Sequence, residues 1–251
     1  MTFEVIRTHR LGKVFPLFQS PADRLKEIVL RSPRSKPFWA LRDVNLQIAK
    51  GEGVGVLGRN GSGKSTLLQL ICGITRPSIG DLWVDGRVAP VMALGGSFDP
   101  ESTGRTNAVI AGVILGLKRH EVLERLDSIV EFAGLGDFLD QPVKKYSAGM
   151  RARLAFAVCA HVDADILVVD EALAVGDGAF QKQCLDWLGR FCQTGTLLFV
   201  SHSLDDVLHL CRKAVWLDRG RVREIGDPYK VGANFSKAME LEPDDPSRFQ
   251  A

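Results

Sequence analysis

No stretch of this chain is apolar for long enough to cross a bilayer, which takes about 18 to 20 residues. The opening MTFEVIRTHR has no apolar run and does not read as a signal peptide. Any membrane role is therefore expected to be peripheral. Cysteine pairing is missing as well. Cys72, Cys159, Cys184, Cys192 and Cys211 are odd in number and show no C-x-x-C spacing. That pattern favours reduced thiols in a cytosolic protein over a disulfide or zinc framework. Charge of one sign is scarce too. Thirty-two Lys and Arg against 30 Asp and Glu leave a net charge of +2, too balanced to argue for nucleic acid. There are no heptads, internal repeats or low-complexity segments. What remains is 251 residues, 45% of them hydrophobic, enough for a sizeable core.

Apolar patterning organises the chain as α/β. The first ~15 residues predict an edge strand, interrupted by PLFQSPADRLKEIVLRSPRSKPFWALRDV. Prolines at 16, 21, 33 and 37 bound a short amphipathic helix there, with Leu25, Ile28 and Val29 on one face. ALRDVNLQIAKGE resumes a strand, and GVGVLG is a buried strand ending in glycine. From about 98 to 160 the pattern turns helical, with TNAVIAGVILGL, HEVLERLDSIVEFAGL and AGMRARLAFAVCAHV as three helices. DILVVDE then reads as a central parallel strand closed by acids. A helix over 178–192, the strand TLLFVSH, a helix over 203–211 and the strands AVWLD and RVREIG follow. Residues from about 227 read as a tail, polar and frayed from Pro243.

Chemistry concentrates in four places. GRNGSGKST, residues 58–66, matches the G-x-x-x-x-G-K-[ST] phosphate loop between a strand and a helix. Gly58, Gly61 and Gly63 let the backbone approach phosphate oxygens, and Asn60, Ser62 and Thr66 complete the stretch. The helix start attracts the anion, Lys64 reaches the β- and γ-phosphates, and the Ser65 hydroxyl suits Mg²⁺. ILVVDEALAVGD ends an apolar strand in Asp170, on the metal side, and Glu171, placed to orient or deprotonate water. LLFVSHSLDD puts His202 at another strand end, on the sheet edge where α/β ligands bind. A lone histidine is more often structural, but this position favours a γ-phosphate contact. Finally, KKYSAGMRARLAF makes Ser147 a helix N-cap with Met150 where a capping box would carry Glu or Gln. Arg151 and Arg153 follow, so this helix start reads as positive and waiting for an anion.

Phosphate loop, S-x-G before a helix, apolar strand with Asp-Glu, apolar strand with His: this order resembles the nucleotide-binding subunit of ATP-binding-cassette (ABC) transporters, over nearly the whole chain. The resemblance implies a P-loop ATPase fold: a parallel-sheet core (about 1–97 and 161–226), an antiparallel β subdomain, and an inserted helical subdomain (about 98–160). Together they make a single domain over 1–240, with an insertion at 16–38 and a tail at 227–251. It implies ATP and Mg²⁺ as cofactors, with Ser65 and Asp170 as metal-side residues and Glu171 and His202 as catalytic ones. Phe15 corresponds to the aromatic that stacks on adenine. Tyr146-Ser147-Ala148-Gly149-Met150 stands where the family usually has L-S-G-G-Q. Ser147, Ala148, Gly149 and Met150 would then meet ATP held by a second copy, with Asp177 in the dimer-facing loop.

SPADRLKEIVL, YSAGMRARLAFAV and DEALAVGDGAFQKQC look most like the ATPases of bacterial polysaccharide exporters: O-antigen, teichoic-acid and capsule types. That resemblance implies a homodimer, two copies of a separate integral membrane permease, and a lipid-linked glycan substrate. It places the chain peripherally on the cytoplasmic face of the inner membrane, with no role for nucleic acid. The alternatives are an ATPase of a drug, lipid or nutrient transporter, or a soluble cassette ATPase acting on nucleic acid. Two departures stand out. The glutamine usual between core and helical subdomain is absent from VMALGGSFDPESTGRTN, where Ala93 and Leu94 align. There is also no room for the C-terminal sandwich that reads the glycan end in many O-antigen ATPases, so such recognition is expected elsewhere or not at all. The insertion is either packing or, through Arg24, Lys26, Arg31, Arg34 and Lys36, a contact for a lipid head group or the permease.

Overall fold

The computed structural model describes residues 3–18, 20, 35–91, 98–170, 177–201 and 203–241. Strands β1 (Glu4–Leu17) and β2 (Lys36–Ala49) form a long antiparallel hairpin. β4 (Ile79–Val84) pairs with the other edge of β1, giving the order β2-β1-β4. Inward residues meet across the ladder, Ile6 opposite Ile48 and Leu11 opposite Val44. The one hydroxyl among them is satisfied: Thr8 Oγ1 donates to Val44 O at 2.9 Å and accepts the Leu46 N–H at 2.8 Å. A buried hydroxyl left unbonded would cost stability.

The hairpin corrects the expected limits of the insertion. Its pairing continues through Phe15 with Phe38 and Pro16 with Pro37 to Leu17 with Lys36. Prolines end central strands because they lack an N–H. At the far end of a ladder that loss matters little, so both are tolerated. The helix expected within 22–30 lies outside the described residues.

The second sheet runs β5-β6-β7-β3-β8-β9, from β3 (Gly53–Leu57), β5 (Val88–Pro90), β6 (Ile166–Asp170), β7 (Thr196–Val200), β8 (Lys213–Asp218) and β9 (Arg221–Gly226). All its pairings are parallel except β8 with β9. Both faces are covered, which is why β6 is apolar without alternation. Ile166 and Val168 pack with the antiparallel sheet and helix α1 (Lys64–Ile71). Leu167 and Val169 pack with the helical layer.

That layer holds α2 (Gly104–Ile114), α3 (Arg119–Glu124), α4 (Leu126–Ala133) and α5 (Ala148–Ala160). The single helix expected over HEVLERLDSIVEFAGL is broken at Arg125, whose guanidinium donates to His161 O and Asp163 Oδ2 at 2.6 and 2.8 Å. Then come α6 (Gly178–Phe191), α7 (Leu204–Leu210) and α8 (Pro228–Leu241). Phe132, Phe156, Phe180 and Trp187 join α4, α5 and α6, Phe132 stacked on Phe156 and the other contacts edge-on.

Helix α8 corrects the reading of 227–251 as tail. Pro228 opens it, Asp227 Oδ1 accepts the Lys230 N–H at 3.1 Å, and Phe235 packs edge-on to Trp216. All five cysteines are free. Burial pushes the thiols of Cys72 and Cys184 up to about 12 and that of Cys192 to about 11. Among the described residues no helix is long and apolar enough to cross a membrane.

Candidate functional site

Strand β3 feeds the loop 58–63 directly into α1, and the loop is packed too tightly for side chains at two corners. A Cβ on Gly58 would lie 2.4 Å from Leu217 O, and one on Gly63 would lie 2.5 Å from Ala40 O. Gly63 also sits at φ 105, in the region that favours glycine. Lys64, buried, folds back into the loop and donates to Gly58 O at 2.8 Å and Arg59 O at 3.1 Å. Asn60 and Gly61 are exposed at the tip and Thr66 is half-buried on α1. Ser62 is buried, and its Oγ has no hydrogen-bond partner among the described residues. An orphaned buried hydroxyl is costly unless a ligand or water completes it.

Asp170, the last residue of β6, pairs in register with Val200 of β7. The Ser65 hydroxyl donates to its Oδ2 at 3.3 Å. Two hard oxygen donors thus converge beneath the phosphate loop, a set that suits a small divalent cation. Ser65 and Asp170 are 105 residues apart in sequence and are brought together by the strand order. Glu171 and His202 follow β6 and β7 but lie outside the described residues, as do Ala93 and Leu94. Ser203, next to position 202, caps α7 by accepting the Asp206 N–H at 3.2 Å.

Phe15 sits half-buried near the end of β1, opposite Phe38, with the Lys13 ammonium 5.1 Å from its ring centroid. Lys13 is fixed in turn by donating to Arg76 O at 2.8 Å.

The start of α5 is built differently. Ser147 is the N-cap, accepting the Met150 N–H at 3.1 Å. Ser147 and Ala148 are exposed, while Gly149 and Met150 are half-buried. The preceding Tyr146 anchors the turn: it is buried and its hydroxyl donates to Phe138 O at 2.6 Å. The two arginines are not left waiting for an anion. Arg151 donates to Tyr146 O at 2.8 Å, and Arg153 ion-pairs with Asp177 while lying over the Phe180 ring. Asp177 caps α6 by accepting the Phe180 N–H at 2.9 Å. That backbone bond and then Arg153 hold its carboxyl below the usual range. The Arg153–Asp177 link escaped the sequence reading because no periodicity relates residues 24 apart.

A family model described as ABC transporter matches residues 41–174. The chain is 45% identical over 251 residues to "ABC transporter protein AbcA" of Aeromonas salmonicida, covering all of this chain and 82% of that protein. It is 41% identical over 242 residues to "O-antigen export system ATP-binding protein RfbB" of Klebsiella pneumoniae, covering 94% and 98%. It is also 41% identical over 236 residues to "Teichoic acids export ATP-binding protein TagH" of Bacillus anthracis, covering 94% of this chain and 43% of that one. Among solved structures, a dimeric ATP-binding cassette bound to ADP and Pi superposes with TM-score 0.74 at 19% identity, over 89% of this chain and 98% of that one. Its fold is an α/β P-loop ATPase, as expected from the sequence.

Proposed function

The chain belongs to the ABC transporter family as a nucleotide-binding, ATP-hydrolysing subunit, and on that premise we propose that it energises export of a lipid-linked polysaccharide across a bacterial inner membrane. The glycan class follows from its likeness to the O-antigen and teichoic-acid export proteins. In this reading two copies act together on the cytoplasmic face with two copies of a separate membrane permease. A single ATPase domain over about 1–240, with its helical subdomain at about 98–160, carries the chemistry.

The observation that carries the ATPase site is the Ser65–Asp170 contact beneath a tightly packed phosphate loop. ATP phosphates occupy the loop 58–66, and Lys64 leaves its present carbonyl partners for phosphate oxygens. The Ser62 hydroxyl gains the partner it lacks. Ser65 and Asp170 hold Mg²⁺, which when bound offsets charge on the phosphate oxygens. Phe15 stacks on adenine. Glu171 orients the attacking water, and His202 contacts the γ-phosphate. Ser147, Ala148, Gly149 and Met150 of one copy meet the γ-phosphate held by the other, with Asp177 beside the shared interface. Catalysis is then mainly positioning and electrostatics.

Deleting the gene in its own bacterium tests the substrate class. Surface polysaccharide should vanish, return with the wild-type chain, and fail to return with Glu171→Gln. A deletion strain with unchanged surface polysaccharide would sink the export reading and leave the ATPase assignment standing.

A further inference from the structure

Behind the phosphate loop lies the two-residue turn between β8 and β9. Arg219 and Gly220 both have positive φ, 47 and 74, as a tight hairpin of this hand requires. Gly220 does more than turn the chain. Its N–H donates to Ser62 O at 2.8 Å, and its carbonyl accepts the Arg42 N–H at 2.7 Å. One residue therefore ties the phosphate loop to β2. The packing is equally close. A Cβ on Gly220 would lie 2.7 Å from Ala40 O, the same carbonyl that lies 2.5 Å from a Cβ on Gly63. Leu217, two residues before the turn, presses its carbonyl on Gly58.

We propose that Gly220 is a positioning residue of the ATP site. The Ser62–Gly63 peptide is planar and trans, so its C=O and N–H point to opposite sides. Holding the Ser62 carbonyl toward the turn aims the Gly63 N–H away from it, where an anion in the loop meets it. Gly220 thus sets one of the loop's donors before nucleotide arrives, and preorganised donors lower the cost of binding. Nothing but glycine fits, because the position combines positive φ with contact against Ala40 O. The proposal rests on residues 58–66 being the ATP phosphate site, and Lys64→Ala tests that part separately.

The experiment compares Gly220→Ala with Gly51→Ala. Gly51 has nearly the same φ, 75, but nothing within 4 Å of an added Cβ. Both variants strain the backbone alike; only one pushes on the phosphate loop. The Kd for ATP should rise about tenfold in Gly220→Ala and stay near wild type in Gly51→Ala. Equal Kd values in the two variants would overturn the proposal. If Lys64→Ala also binds ATP like wild type, the loop assignment fails instead. Should Gly220→Ala not fold, hydrogen exchange on the unaltered chain decides. The Gly220 amide should exchange about tenfold more slowly with ATP present, and an unchanged rate would overturn the role of the turn.

Discussion

The phosphate loop and the start of α5 are both helix N-termini with glycine and serine, yet they are completed in opposite ways. At the loop, Lys64 turns inward to Gly58 O and Arg59 O, and the backbone is braced from behind by Leu217 and Gly220. In the proposed reading this loop cradles an anion, with the Lys64 ammonium already turned into it. At α5, Ser147 and Ala148 face solvent, and the nearby cations are committed to Tyr146 O and Asp177. This helix start lies at the surface, held by contacts made behind it. In the proposed reading, the first region binds phosphate by itself, and the second meets a phosphate held by a second copy of the chain.

The largest expected effect falls on the self-contained region. Lys64→Ala should lower ATP hydrolysis by about a hundredfold or more, since one preorganised cation on a developing phosphate charge is worth that much. Steady-state phosphate release checks it, and near-normal turnover would remove Lys64 from the site. Ser147→Arg should act differently: ATP affinity of the isolated chain is kept, while hydrolysis is lost. Mixing Lys64→Ala chains with Ser147→Arg chains separates the two regions directly. If the α5 start serves the other copy's ATP, each mixed dimer keeps one intact composite site and should trap nucleotide where neither parent does. A mixture that traps none would show that the two regions serve one chain.

How much of this contrast was legible in the sequence depends on the distance over which each contact acts. The loop 58–66 was legible because strand, glycines, lysine and helix are contiguous. The apolar run ending at Asp170 was legible because burial on both faces leaves a local mark. The Ser147 cap was visible too, as a serine followed by helix formers. The partner that occupies Arg153 was not, since Asp177 becomes a neighbour only when α5 and α6 pack around Phe180. The same limit hid α8, which rests on Phe235 meeting Trp216. It also hid the full hairpin, where Pro16 and Pro37 read as breakers although they face each other at the end of a ladder.

A smaller effect should come from the support behind α5. Tyr146→Phe removes a hydroxyl that bonds Phe138 O and touches the space where Gly104 lacks a side chain. Losing such a bond costs about 1 kcal/mol, or roughly 2–4 °C in Tm for a domain of this size. ATP affinity should not change. An unaltered Tm would mean the α5 start is held by packing alone.

The smallest effect, and the sharpest in pH, concerns Asp177. Asp177→Asn keeps a good helix cap while removing the charge opposite Arg153. The folded carboxyl titrates below its ordinary value of 3.8, chiefly through the Phe180 N–H and then Arg153. A depressed pKa stabilises the fold above the unfolded value, and that contribution fades as pH falls through the folded value. Wild type should therefore be slightly more stable than Asp177→Asn at neutral pH, with the gap closing below pH 3.8. The group is exposed, so added salt should shrink the gap as well. Thermal melts at several pH values measure it. A gap independent of pH would mean that Asp177 acts through its shape as a cap, and that the α5 cation is held by Phe180 instead.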